Sequence, residues 1–455
     1  MTDLKGKKVL VIGAGKSGIA ASGLLMRKGA EVVLFDANEK KDRDEIRSKL
    51  PADFSGRIET GTLSEEARKE TELLVISPGV PIDCSMVMEF KKKGIPVWGE
   101  IELASNYGKG TVIAITGTNG KTTTTTLVGE ILKKQFDSVF VVGNIGNPYT
   151  DFADQTTEDS RIAAEISSFQ LETIHEFHPH VSAILNITPD HMNRHHTMEC
   201  YVNVKLSITK NQGPEDYCVL NYEDPLLRER AGEIRAQVIW FSSATRLENG
   251  ICMDGEDIVL MEDGRETRLI NIHDFNLLGT HNYENIMAAI AMTRAAGVPM
   301  DKILAAVRVF KAVEHRIEYV ETINGVKYYN DSKGTNPDAA IRGIRAMLTP
   351  TYLIGGGYDK GSTYDEWIEA FDGKVKKLVL LGATADAIEA CARSHGFTDI
   401  VRVATLEEAV AYCAKEAKAG ESVLLSPACA SWDMFESYEQ RGHIFKDLVR
   451  GMMKQ

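Results

Sequence analysis

Residues 111–126, TVIAITGTNGKTTTTT, carry the side chains an anion-handling site needs, in the order it needs them. A β-branched run, Thr111 to Thr116, reads as a buried strand. Gly117 and Gly120 break it, and Lys121 and Thr122 open a helical stretch. In such a unit the loop and helix N–H groups face a phosphate, the lysine neutralises charge and the hydroxyl reaches a magnesium ion. The usual phosphate-loop pattern has a glycine five residues before the Gly-Lys pair, where this chain has Ile115, so the loop is a shorter relative of that motif. The competing reading is a glycine-rich turn with a solvated lysine. Thr122 is the expected metal ligand; Thr123 to Thr126 are expected to be ordinary first-turn residues.

Other candidates follow strands. Glu165 interrupts the apolar run Arg161 to Ser167. A buried, unpaired carboxylate costs several kcal/mol or more, and a metal would satisfy it. The run Val181 to Ile187 ends in Thr188-Pro189-Asp190-His191. In the same layer as the phosphate loop and Glu165, His191 could complete a magnesium site; alone, a histidine at a loop start is as readily structural. Lys205, in the helical stretch YVNVKLSITK, has nothing in its spacing to set it apart from a solvated lysine. Asn282 and Asn285 share a face at the start of an alanine-rich helix, either capping it or bonding an adenine and ribose.

The elements that must position these residues alternate between strand and helix. Lys8 to Ile12 is an apolar strand, followed by Gly13-Ala14-Gly15-Lys16-Ser17-Gly18, a helix, and a strand Glu31 to Phe35 ending in Asp36. This fingerprint reports a Rossmann-like phosphate or sugar-diphosphate site rather than a particular cofactor, so a nicotinamide oxidoreductase is one reading. Lys16 and Ser17 add donors for an anion; Asp36 is either a ribose or base acceptor or a solvated strand end. The strand Leu73 to Ser77 closes in Ser-Pro-Gly and puts Gly79 at the ligand edge of such a sheet. Later strands, Val326 to Asn330, Thr351 to Ile354, Lys377 to Leu381 and Ser422 to Ser426, again precede polar, glycine-rich turns. The pattern predicts an α/β chain with mostly parallel sheets. Between 216 and 270, short strands with Asp-Gly turns at 254–255 and 263–264 predict a small antiparallel portion. Boundaries fall near Trp98 and Val313, dividing the chain into 1–98, 99–312 and 313–455.

A length of 455 residues calls for several cores, and 43% hydrophobic with 26% charged residues is the composition of a soluble globular protein. A net charge of −13 argues against a general nucleic-acid or anionic-membrane binder, so positive charge for phosphates must be local. The 7 cysteines are scattered without a C-x-x-C, which fits a reducing compartment. The N-terminus runs straight into a strand and no apolar run approaches ~20 residues. The expectation is a cytoplasmic protein without membrane insertion.

Taken in order, GTNGKTTT, EISSFQLE, LNITPDHMNRH, LGTHNYENIMAA, EHR and NDSKGTNPDA resemble the Mur ligases, the ATP-dependent amide-forming enzymes of peptidoglycan precursor synthesis, with their links to cell wall, cell shape and cell division. The resemblance spans the chain. It implies a Rossmann-like N-terminal domain for the UDP-sugar substrate, a central P-loop-type ATPase domain and a Rossmann-like C-terminal domain for the amino acid. Within the family, the DSK-GTN stretch, the SPACASWDMF…EQRG ending and the short first domain point to addition of D-glutamate to UDP-N-acetylmuramoyl-L-alanine. Another amino acid, an oxidoreductase and a non-catalytic nucleotide-binding regulator are the rival readings. The small-molecule partners implied are these two substrates and ATP, acting on a monomer, with two magnesium ions.

The resemblance also implies roles. Lys121, Glu165, His191 and Lys205 would be catalytic. Thr122, Glu165, His191 and a carbamylated Lys205 would hold magnesium. Gly117, Thr118, Asn119, Gly120, Lys121, Thr122, Thr123, Asn282, Asn285, Arg316 and Asp331 would bind ATP. Gly15, Lys16, Ser17, Asp36, Gly79 and Asn144 would hold the UDP-linked substrate, and Thr335, Lys360, Ser431 and Tyr438 the D-glutamate. Some relatives have phenylalanine where this chain has Tyr438, and the 37–40 segment departs from the family pattern. The reaction implied passes through an acyl phosphate and a tetrahedral intermediate.

Overall fold

The structure is a computed structural model and describes residues 3–311, 314–359 and 361–454. It contains two compact units, Met1–Ile270 with Glu284–Val307, and Asn271–Tyr283 with Arg308–Gln455. No helix among the described residues is long and apolar enough to cross a membrane.

The first unit holds two sheets. One has five parallel strands in the spatial order Arg57–Thr60, Glu31–Asp36, Lys8–Ile12, Leu73–Ile76, Val97–Gly99. Its central strands are apolar at successive positions because both faces are covered. Val9, Val11, Val32 and Leu34 enter one core, while Leu10, Ile12, Phe35 and Leu74 enter another. The larger sheet has nine strands, with Thr111–Thr116 between Val181–Ile184 and Arg161–Glu165. One of its faces, through Val112, Ala114, Ile162 and Ile184, joins the core that also takes Val9 and Val11.

Helix Glu100–Tyr107 joins the two sheets through buried carboxylates. Glu100 accepts from the Thr150 N–H and hydroxyl at 2.8 and 3.0 Å. Glu102 accepts from the backbone N–H groups of His175, Glu176 and Phe177 at 2.7, 2.9 and 3.2 Å. These bonds satisfy loop donors that would otherwise be stranded away from water. Residues 99–103, GEIEL, just after the boundary near Trp98, are therefore a clasp as well as a connection.

The expected small antiparallel portion lies at the end of the 216–270 stretch. Tyr217–Asn221 and Gln237–Ser242 run parallel to their neighbours, and reversal begins at Gly250–Asp254, which pairs antiparallel with Asp257–Glu262. Asp263 and Gly264 form the next turn with φ of 49° and 75°, the double left-handed geometry that suits a tight hairpin. The helix expected through Lys210 runs from Met198 to Leu206 and tightens into a 3₁₀ turn, Ser207–Thr209.

The second unit carries a six-stranded sheet, Glu318–Ile323, Val326–Asn330, Ser422–Leu425, Thr351–Gly355, Val375–Leu380, Ile400–Arg402 in spatial order. The first pair is an antiparallel hairpin and the other strands are parallel. Its polar turns gather at the carboxyl ends of the parallel strands, the edge at which such sheets present ligand-binding residues.

Candidate active site

In the larger sheet, strand Thr111–Thr116 gives way to the glycine loop, and helix Lys121–Leu132 starts behind Gly120, whose φ is 84°. A Cβ on Gly120 would lie 2.2 Å from Asn285 Oδ1, so only glycine fits. The neighbouring strand's extension holds the loop: the Thr118 and Asn119 N–H groups donate to the carbonyl and side-chain oxygens of Asn186 at 2.9 and 2.8 Å. The Thr118 hydroxyl lies 3.1 Å from the Tyr201 hydroxyl and donates to Thr188 O. Thr124 Oγ1 donates to Asn285 Oδ1 at 3.2 Å, linking the phosphate-loop helix to helix Thr280–Ala295. Thr122 is exposed, but Thr123, Thr124 and Thr125 are buried core-facing residues rather than ordinary first-turn positions.

Two lysines converge on this loop. Lys121 Nζ donates to the carbonyls of Gly117 and Thr118 at 2.9 Å each. Lys205 Nζ donates to the same Gly117 carbonyl at 2.8 Å and lies over the Tyr201 ring. The solvated-lysine reading of Lys205 fails: the residue is 1% exposed. Helical spacing could not reveal this, because the surface that buries Lys205 comes from the glycine loop 88 residues away. Burial, followed by the charge of Lys121, pulls the Lys205 amine down from 10.5 to about 7.

Glu165 ends its strand buried, beside Ile115 and Gly143 in the register. Its Oε1 accepts from Asn144 Nδ2 at 2.7 Å, whereas Oε2 is buried with no hydrogen-bond partner among the described residues. Gly143 has a φ of 96°, and a Cβ there would lie 2.2 Å from Glu165 O, so the turn that presents Asn144 requires glycine. His191 adopts a left-handed φ of 54° and packs on Phe169 at 4.8 Å, beside Asp190. Arg194 lies over the same Phe169 ring, pairs with Glu172 at 2.6 Å and donates to Val80 O at 2.9 Å. It thereby ties the turn of Gly79 to the segment of His191.

In the smaller sheet of this unit, Gly15 is the N-cap of helix Lys16–Arg27, and Lys16 is exposed at the helix start. Asp36 is not a solvated strand end. It accepts from Ala14 N, Asn38 N and Lys41 Nζ at 2.8, 3.0 and 2.7 Å, fastening the glycine loop to the strand. Burial pushes its carboxyl up, but Lys41 and the two backbone donors outweigh this and leave it below the usual carboxylate range.

The second unit assembles its own cluster. Asp331 is buried and accepts from Ser426 Oγ at 2.6 Å, and burial pushes its carboxyl up to about 7. Arg316 is exposed, and Asn282 Nδ2 donates to Leu278 O at 2.7 Å. Thr335 is half-buried, Ser431 is buried, and the Tyr438 ring receives the Lys333 ammonium at 5.5 Å. Lys360 lies outside the described residues.

Arg441, which lies in the EQRG ending but has no role assigned from the sequence, joins these segments. The residue is 2% exposed, and its guanidinium donates to Ser332 Oγ and O at 2.9 Å each and to Cys429 O at 3.2 Å. One side chain thus links the DSK turn to the SPACAS turn. Asn186 and Tyr201 were also missed. Asn186 follows a strand, where the ligand-edge rule could have found it; Arg441 lies in the EQRG motif, which marked this ending without giving the arginine a role.

Three family profiles match the chain: Mur ligase MurD-like, N-terminal domain, over residues 7–99; Mur ligase middle domain over 115–293; and Mur ligase, glutamate ligase domain, over 315–429. The chain is 58% identical over 450 residues to UDP-N-acetylmuramoylalanine--D-glutamate ligase of Lachnospira eligens, covering 99% of this chain and 100% of the relative. The chain belongs to the Mur ligase family. A second relative of the same description, from Lachnoclostridium phytofermentans, is 57% identical and covers 98% of each chain. Among solved structures, UDP-N-acetylmuramate-alanine ligase from Thermotoga maritima matches with a TM-score of 0.57 at 18% identity, over 98% of this chain and 100% of that one. MurF ligase from Thermotoga maritima in complex with ADP matches at 0.55 and 18%, over 99% and 96%. At that identity these likenesses speak for the fold, which is the three-domain α/β fold of Mur ligases.

Proposed function

We propose that this Mur ligase joins D-glutamate to UDP-N-acetylmuramoyl-L-alanine at the expense of ATP, in the cytoplasmic assembly of peptidoglycan precursors. Full-length identity of 58% to a relative of that description carries the choice of reaction. The site's chemistry supports it independently.

A carboxylate is a poor electrophile, so the γ-phosphoryl group of ATP first passes to the L-alanyl carboxylate, and two anions must meet. The Thr118–Lys121 loop and the start of helix Lys121–Leu132 supply N–H groups and positive charge for the phosphates. Lys121, now folded onto loop carbonyls, moves to the phosphate oxygens when ATP binds. The acyl phosphate then accepts the D-glutamate amine through a tetrahedral intermediate, and phosphate leaves. In our reading, Thr335, Lys360, Ser431 and Tyr438 receive the D-glutamate, with Arg441 fixing the turns that carry them. Gly15, Lys16, Ser17, Asp36, Gly79 and Asn144 face the UDP-linked substrate, and Asn282, Asn285, Arg316 and Asp331 the nucleotide.

The residues fit a magnesium ion: a buried carboxylate oxygen at Glu165 without a partner is what a hard cation would satisfy. Thr122, Glu165, His191 and a carbamylated Lys205 would hold up to two ions. Bound there, magnesium would neutralise charge on the transferring phosphoryl group. An amine at about 7 supports the carbamate, since only the neutral amine adds to carbon dioxide.

The test is phosphate release from ATP and Mg²⁺ with UDP-N-acetylmuramoyl-L-alanine, comparing D-glutamate with L-glutamate, L-lysine, meso-diaminopimelate and no amino acid. Release that depends on D-glutamate is expected. Release with another amino acid keeps the family and overturns the substrate; no release with any overturns the ligase reading.

A further inference from the structure

Away from all of these residues, helices Asp365–Glu369 and Ala385–Ser394 pack side by side in the second unit, and each presents an i,i+4 pair toward the other. Asp365 and Glu369 come from the first. Cys391 and His395 come from the second, where His395 is the C-cap. One ligand atom from each of Asp365, Cys391 and His395 lies within 4.8 Å of the other two. His395 Nε2 stands 3.7 Å from Asp365 Oδ1 and 3.7 Å from Glu369 Oε1.

The other ring nitrogen decides what this arrangement can do. His395 Nδ1 lies 3.0 Å from the Cys391 carbonyl oxygen, which can only accept, so Nδ1 carries the proton. In the neutral ring the Nε2 lone pair then faces two carboxylates. Three electron-pair donors brought together in this way attract a cation or a second proton on the ring. A hydrogen bond from the far ring nitrogen to a backbone carbonyl is also the usual way a metal-ligating histidine is oriented. One thiolate, one imidazole and the Asp365 carboxylate, with Glu369 beside the ring, make a donor set for a borderline-soft divalent ion such as Zn²⁺, not for Mg²⁺, which disfavours sulfur. Bond lengths of about 2.0–2.3 Å to N, O and S put tetrahedral donors within roughly 4 Å of each other, so the three side chains, within 4.8 Å of one another and with Cys391 Sγ 3.9 Å from His395 Nδ1, must close up when the ion binds.

We propose that Asp365, Cys391 and His395, with Glu369 beside them, form a zinc-binding site distinct from the ligase centre. Binding replaces the Cys391 S–H proton, released to solvent, with an S–Zn bond. It ties the helix that follows the Gly355–Gly357 turn to its neighbour.

Co²⁺ serves as the spectroscopic probe, added to the full-length protein in excess Mg²⁺. The expected result is one equivalent of tetrahedral Co²⁺ with a thiolate-to-cobalt band in the near ultraviolet, bleached by Zn²⁺. Cys391→Ser abolishes the band, and His395→Gln or Asp365→Asn weakens Zn²⁺ affinity about tenfold or more. Both helices are partly exposed there, so these variants fold, as circular dichroism would verify. As a second readout, Zn²⁺ slows alkylation of Cys391, located by peptide mapping. A thiolate band that survives Cys391→Ser, or no band in the parent, overturns the proposal.

Discussion

Lys121 and Lys205 place their ammonium nitrogens on one acceptor, the Gly117 carbonyl oxygen, at 2.9 and 2.8 Å. Two cations on one oxygen repel each other, and burial takes water away from Lys205, so the buried partner is the one whose proton is loosened.

This gives a signed pH dependence. The folded Lys205 amine sits at about 7 against an ordinary 10.5. Between these values the unfolded chain holds the extra proton, so stability rises with pH across that window. In buffer free of carbon dioxide, Lys205→Met should melt higher than the parent at about pH 7, with the gap closing toward about pH 10. Ligase activity should be lost. Melting curves at the two pH values check this, and a lower melting temperature for the variant at pH 7 contradicts the electrostatic account.

Glu165 carries the unpartnered buried oxygen, so its neutral isostere separates metal binding from folding. Glu165→Gln should retain or gain stability in metal-free buffer, since a buried charge is removed. Its kcat should fall on the order of 100-fold, because several kcal/mol of charge stabilisation go with the ion. Thermal shift by Mg²⁺, present in the parent, should shrink in the variant.

Asp331 behaves in the opposite sense to the usual paired carboxylate. Its folded value of about 7 lies above the ordinary 3.8, so the folded chain holds the extra proton between them and stability falls as pH rises through that window. Asp331→Asn should therefore be more stable than the parent at about pH 8, by about 1–3 kcal/mol, and equal to it near pH 4. Denaturant unfolding at both pH values measures the difference.

Arg441 tests whether the D-glutamate turns depend on a fork of donors. Arg441→Lys keeps a charge but cannot serve Ser332 and Cys429 together. The KM for D-glutamate should rise about tenfold or more, roughly the 1.4 kcal/mol of one lost hydrogen bond, with the KM for ATP little changed. Steady-state kinetics with each substrate varied separates this from general unfolding, which would lower kcat for all.

What the sequence by itself determined was local. Strands such as Lys8–Ile12 and Val326–Asn330 fall where their apolar runs predict, and strand ends and the breaks after them carry Lys121, Glu165 and Asp331, because strand ends and glycine breaks are written in adjacent residues. What only the tertiary structure decided depends on partners distant in the chain. Lys205 is buried by a loop 88 residues away, and Arg441 by turns that include Ser332, 109 residues away. Asp36 is held by Lys41 and Ala14 instead of water. A side chain's charge state and its neighbours are set by desolvation and by groups from other strands, and no periodicity in one segment encodes either.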